Sequence, residues 1–588
     1  MERIKDNRLR IFFLGTGQID DDQEGFLNGR STSRYLFRLL ANLNEVKRKK
    51  MACLILFIDF SKAFDSVHIP SLIVKLEKMG VRGKMLAVIK AFLEDRAIKL
   101  KVNKFKGIRR ICGLFGLPQG SALSPLLFII YISDMAHSTP SRIRAVMGLY
   151  KFADDGTVMI YAPNMIICHE LMQELCDYLN LWCIDNKLVP NCDKNKTEAM
   201  ILQTGNTAYN RLQELPPKLL IGGTEIEYVR QTKALGVTID DQLTFQGHAE
   251  KKLKVCNQSW GNLSKATNRN HGLNVRSLTL LLKTVVLTKL HYASPLWLYD
   301  NLEVFKGFWN NVVMRTSGAM LNPHREVTEL ALHLPPLEVQ LNMLTTKFLC
   351  KCLTSGDFIS SLLLQIEGSQ SQFLPQLISL KEFIAWKKGF RSAREVELTN
   401  QDHVAEAFYS KGEINMYQTF IWTNRIRSKC QVQSRPSLMD YSLLEVLQRE
   451  DIATYQLNGD NFLFNHNTKK GLDSYIMDYI HGNSFIFGNV RASVSKGEKP
   501  STCYFCNTET DSATHQIEHC TEVEESTHGE LQTQLNSPGA SGNIIKDLIF
   551  PLNDGVQLAF IERIDFLKGQ HEHVIGSEEE LDEDQGSI

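Results

Sequence analysis

The chain has 588 residues with equal numbers of basic and acidic side chains, 66 of each, which excludes a uniformly basic nucleic-acid binder. Its length exceeds one hydrophobic core, so about two to four domains are expected. An acidic run over 578–584 offsets a more basic body. The chain opens without a signal peptide and holds no apolar run long enough to span a membrane. We therefore expect an intracellular protein of the nucleus or cytoplasm that is not secreted and has no membrane partner.

The first strongly predicted element is a buried strand that ends in a carboxylate. Residues 52–60 are short and almost wholly apolar, which is typical of a buried strand, and Asp59 stands near its end. Residues 71–79 then carry apolar side chains at helical spacing, and Gly80 follows as a stop signal. Taken alone, an aspartate after such a strand is usually a loop residue or a helix cap.

A glycine-bounded turn comes next, over residues 116–120, with the sequence Gly-Leu-Pro-Gln-Gly. Its glycines allow the backbone to approach a ligand closely, and Gln119 is placed to hydrogen-bond a bound substrate. The apolar run over 123–135 predicts a buried helix. The alternative is a loop that only leads into a core helix.

Residues 146–161 predict a hairpin, with the Asp-Gly of Phe-Ala-Asp-Asp-Gly (152–156) at the bend. A lone Asp-Asp-Gly is usually just a turn. Together with Asp59, however, Asp154 and Asp155 form a set of oxygen ligands that suits two divalent cations, Mg²⁺ or Mn²⁺. Two such ions roughly 3.5–4 Å apart can activate an attacking oxygen and stabilise a leaving one. The pattern indicates nucleotidyl-transfer chemistry.

The order of these motifs resembles the reverse transcriptases of non-LTR (LINE-type) retrotransposons. The specific matches are Phe-x-Asp-Phe-Ser-Lys-Ala-Phe-Asp (57–65), Gly-Leu-Pro-Gln-Gly-Ser-x-Leu-Ser-Pro-Leu-Leu-Phe (116–128) and Phe-Ala-Asp-Asp (152–155). Further matches are Gln-x-Gly-Phe-x-x-Gly-Arg-Ser-Thr (23–32), Asn-Lys-Thr-Glu (195–198), Leu-Gly-Val-Thr-Ile-Asp (235–240) and His-Tyr-Ala-Ser-Pro-Leu-Trp (291–297). The similarity extends from about residue 23 to 520 and is loose in its second half.

The resemblance implies a catalytic centre in which Asp59, Asp154 and Asp155 bind the two Mg²⁺ or Mn²⁺ ions. The backbone carbonyl of Phe60 is a further candidate ligand. Lys196, in the Lys-Thr-Glu stretch, would be the acid that protonates leaving pyrophosphate. The alternative for Lys196 is an exposed lysine at a helix end.

The resemblance also implies residues that bind the substrate and the template. Phe64 would lie under the sugar and exclude a 2′-hydroxyl, which favours dNTPs, and Gln119 and Gly120 would line the nucleotide pocket. Arg30 would contact the template backbone, with a plain surface arginine as the alternative.

An α+β right-hand polymerase is therefore the expected fold, followed by a mainly helical C-terminal region with a small zinc knuckle. The expected domains are partial fingers (1–50), a palm (51–205) within a reverse transcriptase domain of about 1–240, connection and thumb (206–300), a helical C-terminal domain (301–495), the knuckle (496–525) and a C-terminal segment with the acidic tail (526–588). In the thumb, Lys251, Lys252 and Lys254 of a predicted helix would grip phosphates. An ordinary solvated helix face would look the same.

The second chemical cluster consists of Cys503, Cys506, His515 and Cys520, which suit one structural Zn²⁺ in a reducing compartment. His519 is a rival to His515. No Lys or Arg lies between Cys503 and Cys520, so a mainly structural knuckle is expected.

The expected function is an RNA-directed DNA polymerase that extends a primer 3′-OH with dNTPs on an RNA template by two-metal catalysis. Its partners would be the RNA template, the DNA primer and dNTPs, and a separate endonuclease would make the nick. The chain begins only about twenty residues before the Gln-x-Gly-Phe stretch, so truncated fingers are expected. The alternative function is therefore a catalytically inactive, truncated or domesticated relic that binds nucleic acid.

Overall fold

The computed structural model describes residues 2–430 with gaps, and a few isolated positions between 531 and 567. The gaps are residues 95, 103–104, 112, 136–138, 194, 205–215, 266–272, 274, 357 and 368–373, and most of 318–333. The chain divides into two compact units. The first comprises Met1–His248, Phe348–Ile384 and Ser392–Ala407, and the second comprises Ala249–Lys347, Ala385–Arg391 and Phe408–Ile588.

The elements up to residue 240 include both helices and strands. In chain order they are α1 (Glu2–Gly15), α2 (Thr32–Arg48), β1 (Ala52–Ile58), α3 (Ile69–Lys78), α4 (Gly83–Leu93), β2 (Ala97–Val102), β3 (Phe105–Ile111), α5 (Ser124–Tyr131), α6 (Ser141–Arg144), β4 (Met147–Phe152), β5 (Asp155–Ala162), α7 (Met165–Asp185), β6 (Glu198–Ile201), β7 (Leu220–Ile221), β8 (Thr224–Glu225), β9 (Glu227–Tyr228), β10 (Gln231–Ala234) and β11 (Val237–Asp240).

The elements described from residue 246 onward are helical. They are α8 (Gln246–Ser264), α9 (Val275–Leu281), a π-helical turn (Leu282–Leu287), α10 (Thr288–His291), α11 (Ser294–Trp297), a 3₁₀ turn (Tyr299–Phe305), α12 (Lys306–Ser317), α13 (Leu337–Leu353), α14 (Phe358–Glu367), α15 (Leu374–Lys388), a 3₁₀ turn (Ala393–Glu395), α16 (Gln401–Ala405) and α17 (Lys411–Cys430). The predicted mixture of helix and sheet is confirmed for the described residues, and the predicted helical C-terminal region stays a prediction.

A five-stranded sheet of order β4-β5-β1-β6-β9 forms the centre of the first unit. It is antiparallel except for the β6–β9 pair. The predicted buried strand is confirmed: all seven residues of β1 are buried, and β1 lies between β5 and β6 in the sheet. Burying one such aliphatic side chain contributes about 1.5–3 kcal/mol to the free energy of unfolding. Strand β1 therefore holds the backbone of the residue that follows it, Asp59, firmly in place.

The core of the first unit lies where helices cover this sheet. All residues of α5 except Pro125 are buried, which confirms the predicted core helix, and a 3₁₀ turn at Ser133–Met135 continues it. The helix predicted over 71–79 is also confirmed, although α3 begins two residues earlier, at Ile69. A small apolar cavity remains between the sheet and α7, lined by residues that include Ile58, Val158 and Leu179.

The second unit has its own buried aromatic residues. Trp309 is fully buried, and its indole N–H donates to Glu329 Oε1 at 2.6 Å. Trp386 and Tyr417 lie with their ring centroids 5.4 Å apart. Within the part of the chain that is described, no helix combines the length and apolarity needed to cross a membrane.

Several predicted features lie outside the described residues. They are the cluster Cys503, Cys506, His515 and Cys520 with its rival His519, the helical region beyond residue 430, and the acidic run over 578–584. The predicted domain boundaries stay predictions.

Candidate active site

The three aspartates of the predicted catalytic centre meet at one edge of the central sheet. Asp59 directly follows β1, and Ile58, the last residue of that strand, pairs with Gly156 in β5. Asp155 begins β5 and pairs with Phe152 of β4, which leaves Asp154 in the bend between the two strands. The sheet register therefore places all three carboxylates at the same end of neighbouring strands.

The bend of this hairpin differs from the prediction. Its two loop residues are Ala153 and Asp154, not the predicted Asp155-Gly156, which belong to β5. Ala153 takes the left-handed conformation, with φ of +56°, which is uncommon for a residue other than glycine. The pairing of Gly156 with Ile58 extends β5 through the Asp-Gly dipeptide, so sheet pairing overrides the local turn preference.

Asp59 is held by residues from the loop that precedes β6. The side-chain amide of Asn191 donates to Asp59 Oδ2 at 3.1 Å, and the Asn191 backbone N–H donates to the Asp59 carbonyl at 2.8 Å. The Asp59 backbone N–H in turn donates to Thr197 Oγ1 at 3.3 Å. Sequence reasoning missed Asn191 and Thr197 as partners of Asp59, because they are 132 and 138 residues away along the chain.

Lys196 lies beside the same carboxylate, with its Nζ 3.5 Å from Asp59 Oδ2. It belongs to a turn before β6 and not to a helix end, which corrects the alternative interpretation of its position. Half of its side chain is exposed, so the ion pair with Asp59 contributes little to stability. A cation therefore stands at the carboxylate cluster and remains accessible to a substrate.

The two aspartates of the hairpin have raised pKa values. Burial raises the pKa of Asp154, and the nearby Asp59 raises it further. Burial also raises the pKa of Asp155, to about 6, with added repulsion from Asp154 and Asp59, while Lys196 acts in the opposite direction. Grouped carboxylates raise one another's pKa in this way because like charges resist common ionisation. A bound cation would relieve that repulsion.

The chemistry of this donor set fits a hard divalent cation, which takes carboxylate oxygens. Among the residues that the structure describes, however, no three His, Cys, Asp or Glu side chains already have the arrangement of a metal site. The three aspartates interact electrostatically but are not closed around a common point. Some adjustment of their side chains would accompany metal binding.

The predicted substrate residues lie on the loops that follow β1 and precede α5. Phe64 stacks on Phe128, with ring centroids 4.5 Å apart, and contacts Phe26 edge to face at 6.4 Å. Its carbonyl accepts the N–H of Leu117 at 2.9 Å, which ties the two loops together. Phe60 is buried and bridges to Pro190. The Phe64 ring is therefore fixed from two sides.

The Gly-Leu-Pro-Gln-Gly segment forms the open turn that the sequence predicts. Gly116 and Gly120 both have positive φ, +88° and +83°, and a side chain at Gly120 would meet no neighbour within 4 Å. Gln119 is exposed, and its amide donates only a long contact of 3.4 Å to Asp65 Oδ1. The turn presents Gln119 to solvent, where a ligand can reach it.

The predicted nucleic-acid residues belong to different units of the chain. Arg30, in the first unit, folds onto its own loop: it pairs with Asp21 at 2.9 Å and donates to the carbonyl of Gln23 at 2.7 Å. Lys251, Lys252 and Lys254 lie on α8, in the second unit. Lys251 and Lys254 are exposed, and Lys252 lies 5.4 Å from the centre of the Tyr292 ring. Their contacts with nucleic acid stay predictions.

A cluster of aspartates at the end of a mixed sheet, with a lysine ammonium beside it, is typical of enzymes that transfer phosphoryl or nucleotidyl groups. Residues 1–239 match the protein family described as reverse transcriptase (RNA-dependent DNA polymerase). The predicted resemblance is therefore confirmed: residues 1–239, which are less than half of the chain, are similar to reverse transcriptase domains.

Relatives with similar sequences come from non-LTR transposons. The chain is 30% identical over 305 residues to a probable RNA-directed DNA polymerase from transposon BS of Drosophila melanogaster, covering 51% of this chain and 31% of that protein. It is 28% identical over 270 residues to the RNA-directed DNA polymerase from mobile element jockey of the same organism, covering 44% of this chain and 28% of that protein. The matches thus span less than a third of these relatives.

Among solved structures, the apo telomerase from Candida Tropicalis matches 69% of this chain and 60% of its own, at 12% identity and a TM-score of 0.32.

Proposed function

We propose that this chain is an RNA-directed DNA polymerase of a non-LTR retrotransposon, which extends a primer 3′-OH with dNTPs on an RNA template. The observation that carries the proposal is the cluster of Asp59, Asp154 and Asp155 at one sheet edge of a reverse transcriptase domain. The relatives named RNA-directed DNA polymerase support it.

In this proposal Asp59, Asp154 and Asp155 would hold divalent cations, Mg²⁺ or Mn²⁺. When bound, such cations supply charge stabilisation for the attacking and leaving oxygens of an in-line displacement. The three aspartates fit this task because their mutual repulsion favours a cation among them. Deprotonation of Asp155 would be required before it could act as a ligand.

Lys196 would act on the leaving group. Its ammonium, 3.5 Å from Asp59 Oδ2, is held at the cluster and can donate a proton to an oxygen of departing pyrophosphate. The open side of this half-exposed lysine gives the triphosphate access to it. An ammonium at this place also offsets negative charge that develops on the leaving oxygen.

The nucleotide would be selected by the two tied loops. The Phe64 ring, fixed by Phe128 and Phe26, would form a floor that leaves no room for a 2′-hydroxyl and so favours dNTPs. Gln119 and Gly120 would line the pocket, and the Phe60 carbonyl would lie near the cations. Correct placement of reacting groups supplies much of the catalysis in phosphoryl transfer.

The finer assignments of the fold belong to the same proposal. The first unit would contain the palm and a fingers remnant, and α8 would belong to a thumb whose Lys251, Lys252 and Lys254 contact primer–template phosphates. Arg30 would contact the template. Cys503, Cys506, His515 and Cys520 would hold one structural Zn²⁺. The protein would act inside the cell, in the nucleus or cytoplasm, with the nick supplied by a separate endonuclease.

The test is primer extension on poly(rA)/oligo(dT) with Mg²⁺ or Mn²⁺. We expect metal-dependent incorporation of dTTP by the wild-type protein and only background incorporation by the double variant Asp154→Asn/Asp155→Asn. Asp177→Asn is the matched control, because Asp177 is an exposed aspartate on α7 whose Oδ1 accepts a hydrogen bond from the Gln173 side-chain amide. A folded wild-type protein that incorporates nothing with either metal would contradict the proposal.

A further inference from the structure

A short segment that precedes α2 pairs with β4, on the outer side of the β4–β5 hairpin that carries Asp154 and Asp155. Gln23 bridges to Lys151 of β4 in parallel fashion. The Lys151 N–H donates to the Asp22 carbonyl and the Glu24 N–H donates to the Lys151 carbonyl, each at 2.8 Å. Residues 22–24 therefore run alongside the end of β4, next to the bend that carries Asp154.

Gln23 reaches from this segment into the bend itself. Its Oε1 accepts the backbone N–H of Ala153 at 2.9 Å and that of Gly25 at 2.8 Å. Both partners are donors, so the oxygen and not the nitrogen of the amide must face them. The side chain is only 2% exposed, and its Nε2 is buried without a hydrogen-bond partner among the described residues. Burying an amide nitrogen without a hydrogen-bond partner destabilises the folded state, and the two hydrogen bonds to Gln23 Oε1 offset part of this cost.

Gly25 makes this approach sterically feasible. A Cβ at position 25 would lie 2.5 Å from the Ala153 backbone nitrogen and 2.9 Å from Gln23 Oε1. No side chain can fit at the first of these distances, because the neighbour is backbone. Gln23 and Gly25 therefore act together: because Gly25 has no side chain, the segment can approach the bend closely enough for Gln23 Oε1 to accept the Ala153 N–H.

The segment is also anchored on the side away from the hairpin. The Glu24 carboxylate is buried and lies 3.2 Å from Arg34 Nε and 3.4 Å from Arg38 Nη1, both on α2. Tyr35 of α2 donates to Thr157 Oγ1 in β5 at 2.6 Å. Helix α2 thus fixes the segment and the hairpin together, so Gln23 reaches the bend from a rigid support.

We propose that Gln23 is a positioning residue for the polymerase reaction, acting through the Ala153 backbone to hold the bend that carries Asp154 and Asp155. The bend needs such support because Ala153 adopts a left-handed conformation, with φ of +56°, that alanine disfavours. The consequences for catalysis and for metal binding rest on the proposed function, whereas the hold on the bend does not.

The experiment compares Gln23→Met, which keeps the size but loses the acceptor, with Gln23→Glu, which keeps an acceptor oxygen. Gln203→Met is the matched control, because Gln203 in the same unit donates its amide to Asp241 at 2.9 Å, away from the hairpin. Four quantities are measured in the full chain: hydrogen exchange on peptides spanning residues 150–156, Mn²⁺ affinity by electron paramagnetic resonance, and the kcat and the KM of primer extension.

For Gln23→Met we expect faster exchange of the Ala153 amide and about 10- to 100-fold losses in Mn²⁺ affinity and in kcat, as for residues that orient metal ligands, with the KM for dTTP within about twofold of wild type. Gln23→Glu should restore the exchange protection, and Gln203→Met should match the wild type throughout. Unchanged exchange and unchanged Mn²⁺ affinity in Gln23→Met would overturn the inference. Inactivity of the wild type would contradict the proposed function alone, since hydrogen exchange at Ala153 still reports on Gln23.

Discussion

The two sides of the carboxylate cluster are supported in different ways. Asp59 follows the wholly buried strand β1, and Asn191, Thr197 and Lys196 contact it directly. Asp154 and Asp155 lie at the bend of a hairpin, where the described contacts support the backbone through Gln23. Their pKa values are raised, whereas a lysine contacts Asp59. The Asp59 side is thus fixed through both its side chain and its main chain. Among the described contacts, the hairpin side is held through its main chain, under charge repulsion.

Because the two sides are supported differently, we expect substitutions of the three aspartates and their partners to have unequal effects on catalysis and on stability. Removing a partner of Asp59 should change the direction of one carboxylate and affect catalysis. Removing a charge from the hairpin should relieve repulsion and so change the stability of the fold as well. Predictions that separate catalysis from stability therefore test the comparison most directly.

The largest effect is expected for Asp59→Asn, which keeps the size of the side chain and removes its charge. We expect primer extension to fall by roughly three orders of magnitude, because electrostatic stabilisation supplies most of the catalysis in phosphoryl transfer. The measurement is kcat with Mg²⁺ and with Mn²⁺, alongside circular dichroism to confirm folding. Activity within about tenfold of wild type would show that Asp59 does not belong to the catalytic centre.

Lys196→Met is expected to have the next largest effect. If its ammonium protonates pyrophosphate, kcat should fall about 100-fold, while the melting temperature should hardly change because the ion pair with Asp59 is half exposed. Lys187→Met is a suitable control, since Lys187 is an exposed lysine in the turn after α7. A kcat for Lys196→Met equal to that of the control would mean that Lys196 is only a surface lysine.

The sequence predicted the parts of this site that depend on local patterns. The apolar run of β1 fixes the strand, and the β-prone segments around Phe-Ala-Asp-Asp-Gly fix the hairpin, so the end of β1 and the hairpin were correctly identified. The predicted position of the bend was wrong because the bend depends on how β5 pairs with its neighbours. Asp155 pairs with Phe152 of β4, and Gly156 pairs with Ile58 of β1. No local preference at Asp155-Gly156 reveals that long-range pairing.

The supporting residues could not be predicted as such for the same reason. Gln23 lies 130 residues from Ala153 and Asn191 lies 132 residues from Asp59. The stretch Gln-x-Gly-Phe was recognised only as a family resemblance, without a partner. Its role in the fold becomes visible when the backbone of Gly25 is seen against the bend.

Asn191→Ala tests the side-chain support of Asp59. This substitution removes the 3.1 Å bond to Asp59 Oδ2 but keeps the backbone bond to the Asp59 carbonyl. We expect about tenfold lower kcat and weaker Mn²⁺ binding, the lower end of the range for a residue that orients a metal ligand. Asn180→Ala on α7 provides a control. Equal kcat and Mn²⁺ affinity in the two variants would show that the backbone bond alone orients Asp59.

The smallest effect, and the one that separates stability from catalysis, is expected for Asp155→Asn in metal-free protein. The folded-state pKa of Asp155 is raised to about 6 from 3.8, so the folded protein holds this proton more tightly than the unfolded chain does. Its ionisation therefore destabilises the fold progressively between about pH 4 and pH 6, and the cost is constant above that window. Because Asp155 is partly open to solvent, we expect the asparagine variant to be more stable than wild type by only about 1 kcal/mol at pH 7.

The measurement for Asp155→Asn is urea unfolding in EDTA at several pH values. The gain over wild type should grow as the pH rises from 4 to 6 and then remain level, following the titration of Asp155. Added Mn²⁺ should reverse the order of stability, because the cation binds the wild-type carboxylates and stabilises the folded state by mass action. A gain that does not depend on pH would mean that repulsion is not what distinguishes the hairpin from Asp59, and the contrast between the two sides would reduce to how each is hydrogen-bonded.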